Sequence, residues 1–451
     1  MTTATHRSRR ARIGCAAVVC AVLLGGCSDA LEDFFREDEA PPLPGERISV
    51  LELERTLEPD PRIADLQVRL PRPYVNPHWP QAGGYASHSM QHLALGENIR
   101  PAWTASIGKG ADGDTRILTS PIVASGIVFT MDAVAQVAAF DARTGRRYWT
   151  ENLSPDGEEK GEFGGGVAYN GRQLYVATGY GDVFALDPRN GKRIWHRNIG
   201  LPIRAEPTVS AGMVFVVSYD NQLHTLSAED GSVVWTHVGI AEVAGLLGGA
   251  NPAAASGLVI APYSSGELFA FRSDNGHVAW SDSLIRRRQI TGLSNLSDIR
   301  GRPVIDDGRV YAVGHAGRMV AIDLRTGERV WEQEIGGVQT PWIAGDYIYV
   351  VTTEAEVVCL SRREGRIRWV QRLDRYEDAR DKDGPIQWHG PVLAGDRLLV
   401  TSSHGIATAI SPYTGRILGS VKLSESAAVA PIVADGTLYI LTDDAQLTAW
   451  R

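Results

Sequence analysis

The sequence predicts an all-β chain, an eight-bladed β-propeller of four-stranded antiparallel blades, on three observations. First, a turn glycine is followed four residues later by tryptophan six times: Gly145/Trp149, Gly191/Trp195, Gly231/Trp235, Gly276/Trp280, Gly327/Trp331 and Gly365/Trp369. Second, these tryptophans are spaced 46, 40, 45, 51 and 38 residues apart, near the ~40–50-residue period of four-stranded blades. Third, the final copy, from Pro431 to Arg451, supplies three strands, while a lone strand with its tryptophan, around Trp103, stands ahead of the first copy. Seven whole blades and one shared blade make eight. Pairing the N-terminal strand with the C-terminal blade closes the ring and removes open edges.

Each unit is physically consistent. The strands are short, β-branched or aromatic, and bounded by turn residues. Asn170-Gly171, Asp307-Gly308 and Asp435-Gly436 supply the positive φ of tight hairpins. One four-stranded sheet cannot bury both faces by itself. Stacking sheets about an axis does so, with tryptophan filling the layer between blades. A seventh copy has Gly415 but places Gly419 where tryptophan is expected.

Ahead of the repeats, Arg7, Arg9, Arg10 and Arg12 form a basic stretch before an apolar run, Ile13 to Leu24, too short to span a bilayer comfortably. It ends in Leu24-Gly25-Gly26-Cys27, which resembles a bacterial lipobox. That resemblance implies a signal peptide over residues 1–26, cleavage before Cys27, and acylation of Cys27, palmitate included. More than one acyl chain makes a firm anchor. Ser28, rather than Asp, favours the outer membrane, facing the periplasm. Residues 27–46 are acidic and proline-rich, a solvated tether. Residues 47–98 read as extended chain pinned to the body, and 99–451 as the propeller.

The chain carries 45 Lys+Arg against 53 Asp+Glu, a net charge of −8. Loss of the four leading arginines takes the body to −12. Such a balance argues against a nucleic-acid binder, which shows a basic field. Cys15 and Cys20 leave with the signal and Cys27 takes lipid, so Cys359 alone remains. No intrachain disulfide is expected, and Cys359 reads as a small core residue.

The run Ala-Phe-Asp-x-x-Thr-Gly-x-x-x-Trp, at Ala139 to Trp149, resembles the repeat of quinoprotein propellers. Two families share it: quinoprotein dehydrogenases, and the BamB-type lipoproteins of the outer-membrane β-barrel assembly (BAM) machinery. The second likeness covers nearly the whole chain. It rests on the lipobox, Leu43-Pro44-Gly45-Glu46-Arg47, Trp79-Pro80-Gln81-Ala82-Gly83-Gly84, Pro262-Tyr263-Ser264-Ser265-Gly266 and Leu296-Ser297-Asp298-Ile299. It implies no catalysis, docking on a POTRA domain of BamA, and help with folding and insertion of outer-membrane proteins. It also implies a partner surface on two inter-blade connections. Leu246 and Asp298 match the family pattern. Leu247 and Arg300 stand at the same connections but depart from it. Leu246-Leu247 between glycines either contacts a partner or caps the core beneath.

A quinoprotein dehydrogenase would need PQQ, a Ca²⁺ site, an acidic base and adjacent cysteines. With Cys359 alone, no cofactor, metal or catalytic residue is expected. His88 and His92, four apart, read as structural rather than as metal ligands. Gly164-Gly165-Gly166 precedes a strand and marks a close backbone approach rather than a phosphate cradle. Arg286-Arg287-Arg288 reads as a solvated loop or as a patch for an acidic partner. The remaining alternative is a general protein-binding propeller of another envelope complex.

Overall fold

The computed structural model describes residues 57–157, 162–242, 245–285 and 297–451. The signal segment, Cys27, the tether, residues 47–56, Ala244, Arg286, Arg287, Arg288 and Leu296 lie outside the described residues. Among the described residues every regular element is a β-strand. Eight four-stranded antiparallel sheets follow one another along the chain, each innermost strand packing beside the next. Blades 1 to 7 occupy residues 122–152, 165–198, 208–238, 253–283, 304–333, 342–372 and 388–422. Blade 8 takes three strands from residues 432–450, and its outermost strand is Pro101–Ser106, paired with Gln446–Trp450. Backbone bonds between Arg100 and Arg451 run in both directions, at 2.6 and 2.9 Å. The ring therefore closes through its two ends, as the repeat count predicts.

The glycine–tryptophan offset of blades 1 to 6 has one physical cause. In each of blades 1 to 7 the outer strand carries an extra residue opposite the third strand, immediately before the tryptophan position. Such a bulge re-aims the side chain that follows it. Here the indole turns onto the neighbouring blade. Trp103, Trp149, Trp195, Trp235, Trp280, Trp331 and Trp369 each donate from Nε1 to a carbonyl of the next blade, at 2.8–3.2 Å. The acceptor always lies three residues before that blade's turn glycine. The glycine is required twice over. Gly145, for example, has φ of 73°, and a Cβ there would sit 2.6 Å from the Trp103 ring. Residues opposite each indole are small: Ala139, Ala185, Thr225, Ala270, Ala321, Cys359 and Ala449. Cys359 is thus a member of a packing column. It is fully buried, and burial pushes its thiol pKa well up.

The chain ahead of the first strand closes one end of the axis. Asn76 bonds Val433 of blade 8, Trp79 bonds Val123 of blade 1, and Pro80 accepts from Tyr169 of blade 2. Gln81 brackets Val209 of blade 3, Ala86 accepts from Ala254 of blade 4, and Ser87 from Ile305 of blade 5. Trp342 of blade 6 donates to Gln91, and Leu93 donates to Leu393 of blade 7. Eighteen residues, 76 to 93, therefore touch all eight blades in ring order. His88 and His92 serve this cap. His88 Nδ1 donates to Pro303 O at 2.7 Å and Nε2 accepts from Asn251. His92 Nδ1 meets Pro71 O, and its Nε2 accepts from Asp396 N. Burial pulls the His88 pKa down to about 3, so the ring is neutral, as a donor–acceptor pair of this kind requires.

Candidate partner-binding surface

The opposite end of the axis is lined by one repeat column. Leu118, Arg204, Gly249, Arg300, Val338 and Ala428 each stand four residues before the innermost strand of their blade. Ser120, Glu206, Arg302 and Ala430 stand two before it. These residues surround a cavity of about 60 Å³. Three arginines face two acids here. Arg204 Nη2 meets Asp298 Oδ2 at 2.9 Å with both side chains buried, and Arg302 Nη2 meets Glu206 Oε1 at 2.8 Å. Removal of one member of a buried pair leaves a charge without its partner, at about 3–5 kcal/mol. Arg302 also donates to Asn251, which donates to His88. The two ends of the axis are joined by this chain of hydrogen bonds.

Arg300 is half-buried and makes no hydrogen bond among the described residues. Burial lowers its pKa, opposed chiefly by Asp298. Burial also brings His389, on the same cavity, down to about 4, with Arg300 adding to the shift. Among the described residues, the mouth of the axis thus carries one cation beyond its ion pairs.

Beside this mouth lies the connection from blade 3 to blade 4. Asp298, 1% exposed, holds it from beneath: Oδ2 accepts from Leu246 N at 2.9 Å as well as from Arg204. Arg204 also donates to Gly248 O and Asn221 Oδ1. Asn221 in turn accepts from Ser264 and donates to Ile240 O. Leu246 is half-buried, while Leu247 is 46% exposed. Leu246 is thus partly covered, while Leu247 is presented outward. Asp298 shapes the loop from below rather than offering a surface contact. The structure brings all four sequence-derived positions together, since Gly248 lies against the Arg300 guanidinium. Sequence reading missed Arg204, Glu206, Arg302 and His389. The first three were visible as register-equivalent positions ahead of innermost strands.

A quinone cofactor does not fit this axis. Ligand sites for compact organic molecules run to roughly 300–1,000 Å³, well above the cavity here, and Asp298 and Glu206 are committed to arginines. Gly165 and Gly166 show why that glycine run precedes a strand. A Cβ on Gly165 would lie 2.1 Å from Ala177 O, and one on Gly166 2.3 Å from Glu206 Cγ.

A ring of eight sheets with an indole at seven seams defines the class as a propeller of the quinoprotein-repeat type. Among solved structures, BamB from Moraxella catarrhalis superposes with a TM-score of 0.66 at 19% identity, covering 78% of this chain and all of that one. A europium-containing methanol dehydrogenase gives 0.65 at 14%, covering 83% of this chain and 98% of that one. At such identities these two establish the fold alone. The family model described as outer membrane protein assembly factor BamB matches residues 100–371 and 378–450, and the chain belongs to that family. Its relatives include the BamB proteins of Yersinia pestis, 28% identical over 75% of this chain and 85% of that one, and Salmonella typhimurium, 29% identical over 77% and 87%.

Proposed function

We propose that the chain is a non-catalytic scaffold of the BAM complex. It binds a POTRA domain of BamA and assists folding and insertion of outer-membrane proteins. The carrying observation is the loop at Leu246-Leu247, which offers an exposed apolar side chain from a backbone fixed by a buried Asp298–Arg204 pair. A fixed loop gives up little conformational freedom on binding, and an apolar anchor beside charge is how interface energy concentrates. Arg300, free of hydrogen bonds among the described residues at the adjoining mouth, supplies a cation for an acidic group of the partner. Acylation of Cys27 holds the body at the outer membrane on its periplasmic face, which raises its effective concentration near the partner.

Affinity capture of the tagged chain from mild-detergent extracts tests the reading. The barrel-inserting subunit is expected in the wild-type capture and strongly depleted with Leu247→Asp. Its absence from the wild-type capture, with another envelope complex present instead, contradicts the assembly role. Cys27→Ala is expected to move the protein out of the membrane fraction, and an unchanged fraction argues against the anchor.

A further inference from the structure

Seven of the eight seams between blades hold an indole from the outer strand of the preceding blade; the seam between blades 7 and 8 holds none from that position and is lined instead by Trp450 of blade 8. There the outer strand Ile417–Lys422 keeps the register shift that elsewhere aims tryptophan at the next blade: Ala409 pairs with Gly419 and Ile410 with Ile417. The backbone is therefore set for an aromatic side chain that the sequence lacks. A Cβ built on Gly419 meets nothing within 4 Å. The seam holds a cavity of about 390 Å³, lined by Ile99, Leu399, Val421, Leu438, Ile440 and Trp450 among others. That is within the size range of binding pockets. Trp450 Nε1 is buried and has no acceptor among the described residues. A buried donor left unpaired in this way calls for a partner.

We propose that this seam binds an aromatic side chain, indole above all, carried on an extended segment of a partner polypeptide. The occupant is argued from the other seams, where the same outer-strand bulge, opposite a small residue (Ala, Thr or Cys), aims an indole at the next blade. The route in is the outer strand itself. Ile417–Lys422 is exposed along its length, with Ile417, Leu418 and Val421 about half-exposed, and among the described residues its outer edge has no strand paired to it. An added strand gains main-chain hydrogen bonds there, and alternate side chains drop onto the seam face. An aromatic residue opposite a strand glycine covers the gap that the glycine leaves. A carbonyl of the entering segment would satisfy Trp450. By ring order this seam lies across the axis from the blade 3–4 connection, so both sites can be occupied together. The inference goes beyond the scaffold reading and does not depend on it.

The test uses the purified chain and a seven-residue extended peptide with one central 5-fluorotryptophan, followed by ¹⁹F NMR. Saturable binding is expected. It should weaken at least tenfold when alanine replaces the fluorotryptophan in a competing peptide, and at least tenfold with Gly419→Trp, whose own indole fills the seam. Val421→Asp, a surface change at the cavity wall, should weaken it several-fold and serves if Gly419→Trp does not fold. Leu247→Asp should leave it unchanged. No saturable binding to the wild-type chain, or equal binding to folded Gly419→Trp or to Val421→Asp, overturns the proposal.

Discussion

The sixth seam of the ring and the seventh differ at one side chain of the outer strand. Between blades 6 and 7, Trp369 is buried, donates to Pro412 O and lies against Gly415. Between blades 7 and 8, Gly419 stands in the same register over a cavity of about 390 Å³. The comparison teaches that backbone geometry and side-chain filling are separable here. The bulge survives without the residue it serves. Closure of the ring consequently rests on the paired ends and on the apolar contacts of blade 8, such as Trp103 on Tyr439, rather than on an eighth indole.

The largest effect is expected from making the sixth seam resemble the seventh. Trp369→Ala removes a buried indole and its hydrogen bond, and should lower stability by about 3–5 kcal/mol, read from urea midpoints. A loss below about 1 kcal/mol would mean that the seams are not held by their indoles. The next effect concerns the axis that all seams share. His88 and His389 are neutral in the fold, at about 3 and about 4, but protonate near 6.5 when unfolded. The unfolded chain therefore binds more protons below pH 6.5. Stability should fall as pH drops from 6.5 toward 4, by up to about 1.4 kcal/mol per unit for each histidine. His88→Asn, which accepts the left-handed backbone at this position, should reduce that slope by one proton. Midpoints at pH 7, 6 and 5 measure it.

The converse exchange, Gly419→Trp, should raise stability by about 1–2 kcal/mol, as cavity filling commonly does. A destabilised variant would show that the seventh seam is shaped against an indole. The smallest change in stability is expected from Leu247→Asp, within about 0.5 kcal/mol because the side chain is exposed, while capture of the partner is lost. That pairing of outcomes separates a docking residue from a core cap.

The blade count, the shared closing blade and the glycine–tryptophan seams were legible because each rests on a local pattern repeated at fixed spacing. Gly419 was legible as an exception for the same reason. What the exception creates was not, because a cavity is defined by atoms from two blades and by Ile99 ahead of the ring. The candidate site was legible in the sequence as one neighbourhood, through Leu246, Leu247, Asp298 and Arg300. Their division of labour was not. Asp298 reads as a surface acid until Arg204, ninety-four residues away, is placed against it. The winding of residues 76–93 around the axis was likewise hidden. Their bonds go one at a time to eight separate blades, and no periodicity records that.

The most direct measurement is hydrogen exchange of the purified body with and without an isolated POTRA domain of BamA. Slowed exchange across residues 245–252, with the outer strand Ile417–Lys422 unchanged, is the predicted result. No protection at 245–252 in a complex shown to form, or protection confined to Ile417–Lys422, would contradict docking at the blade 3–4 connection.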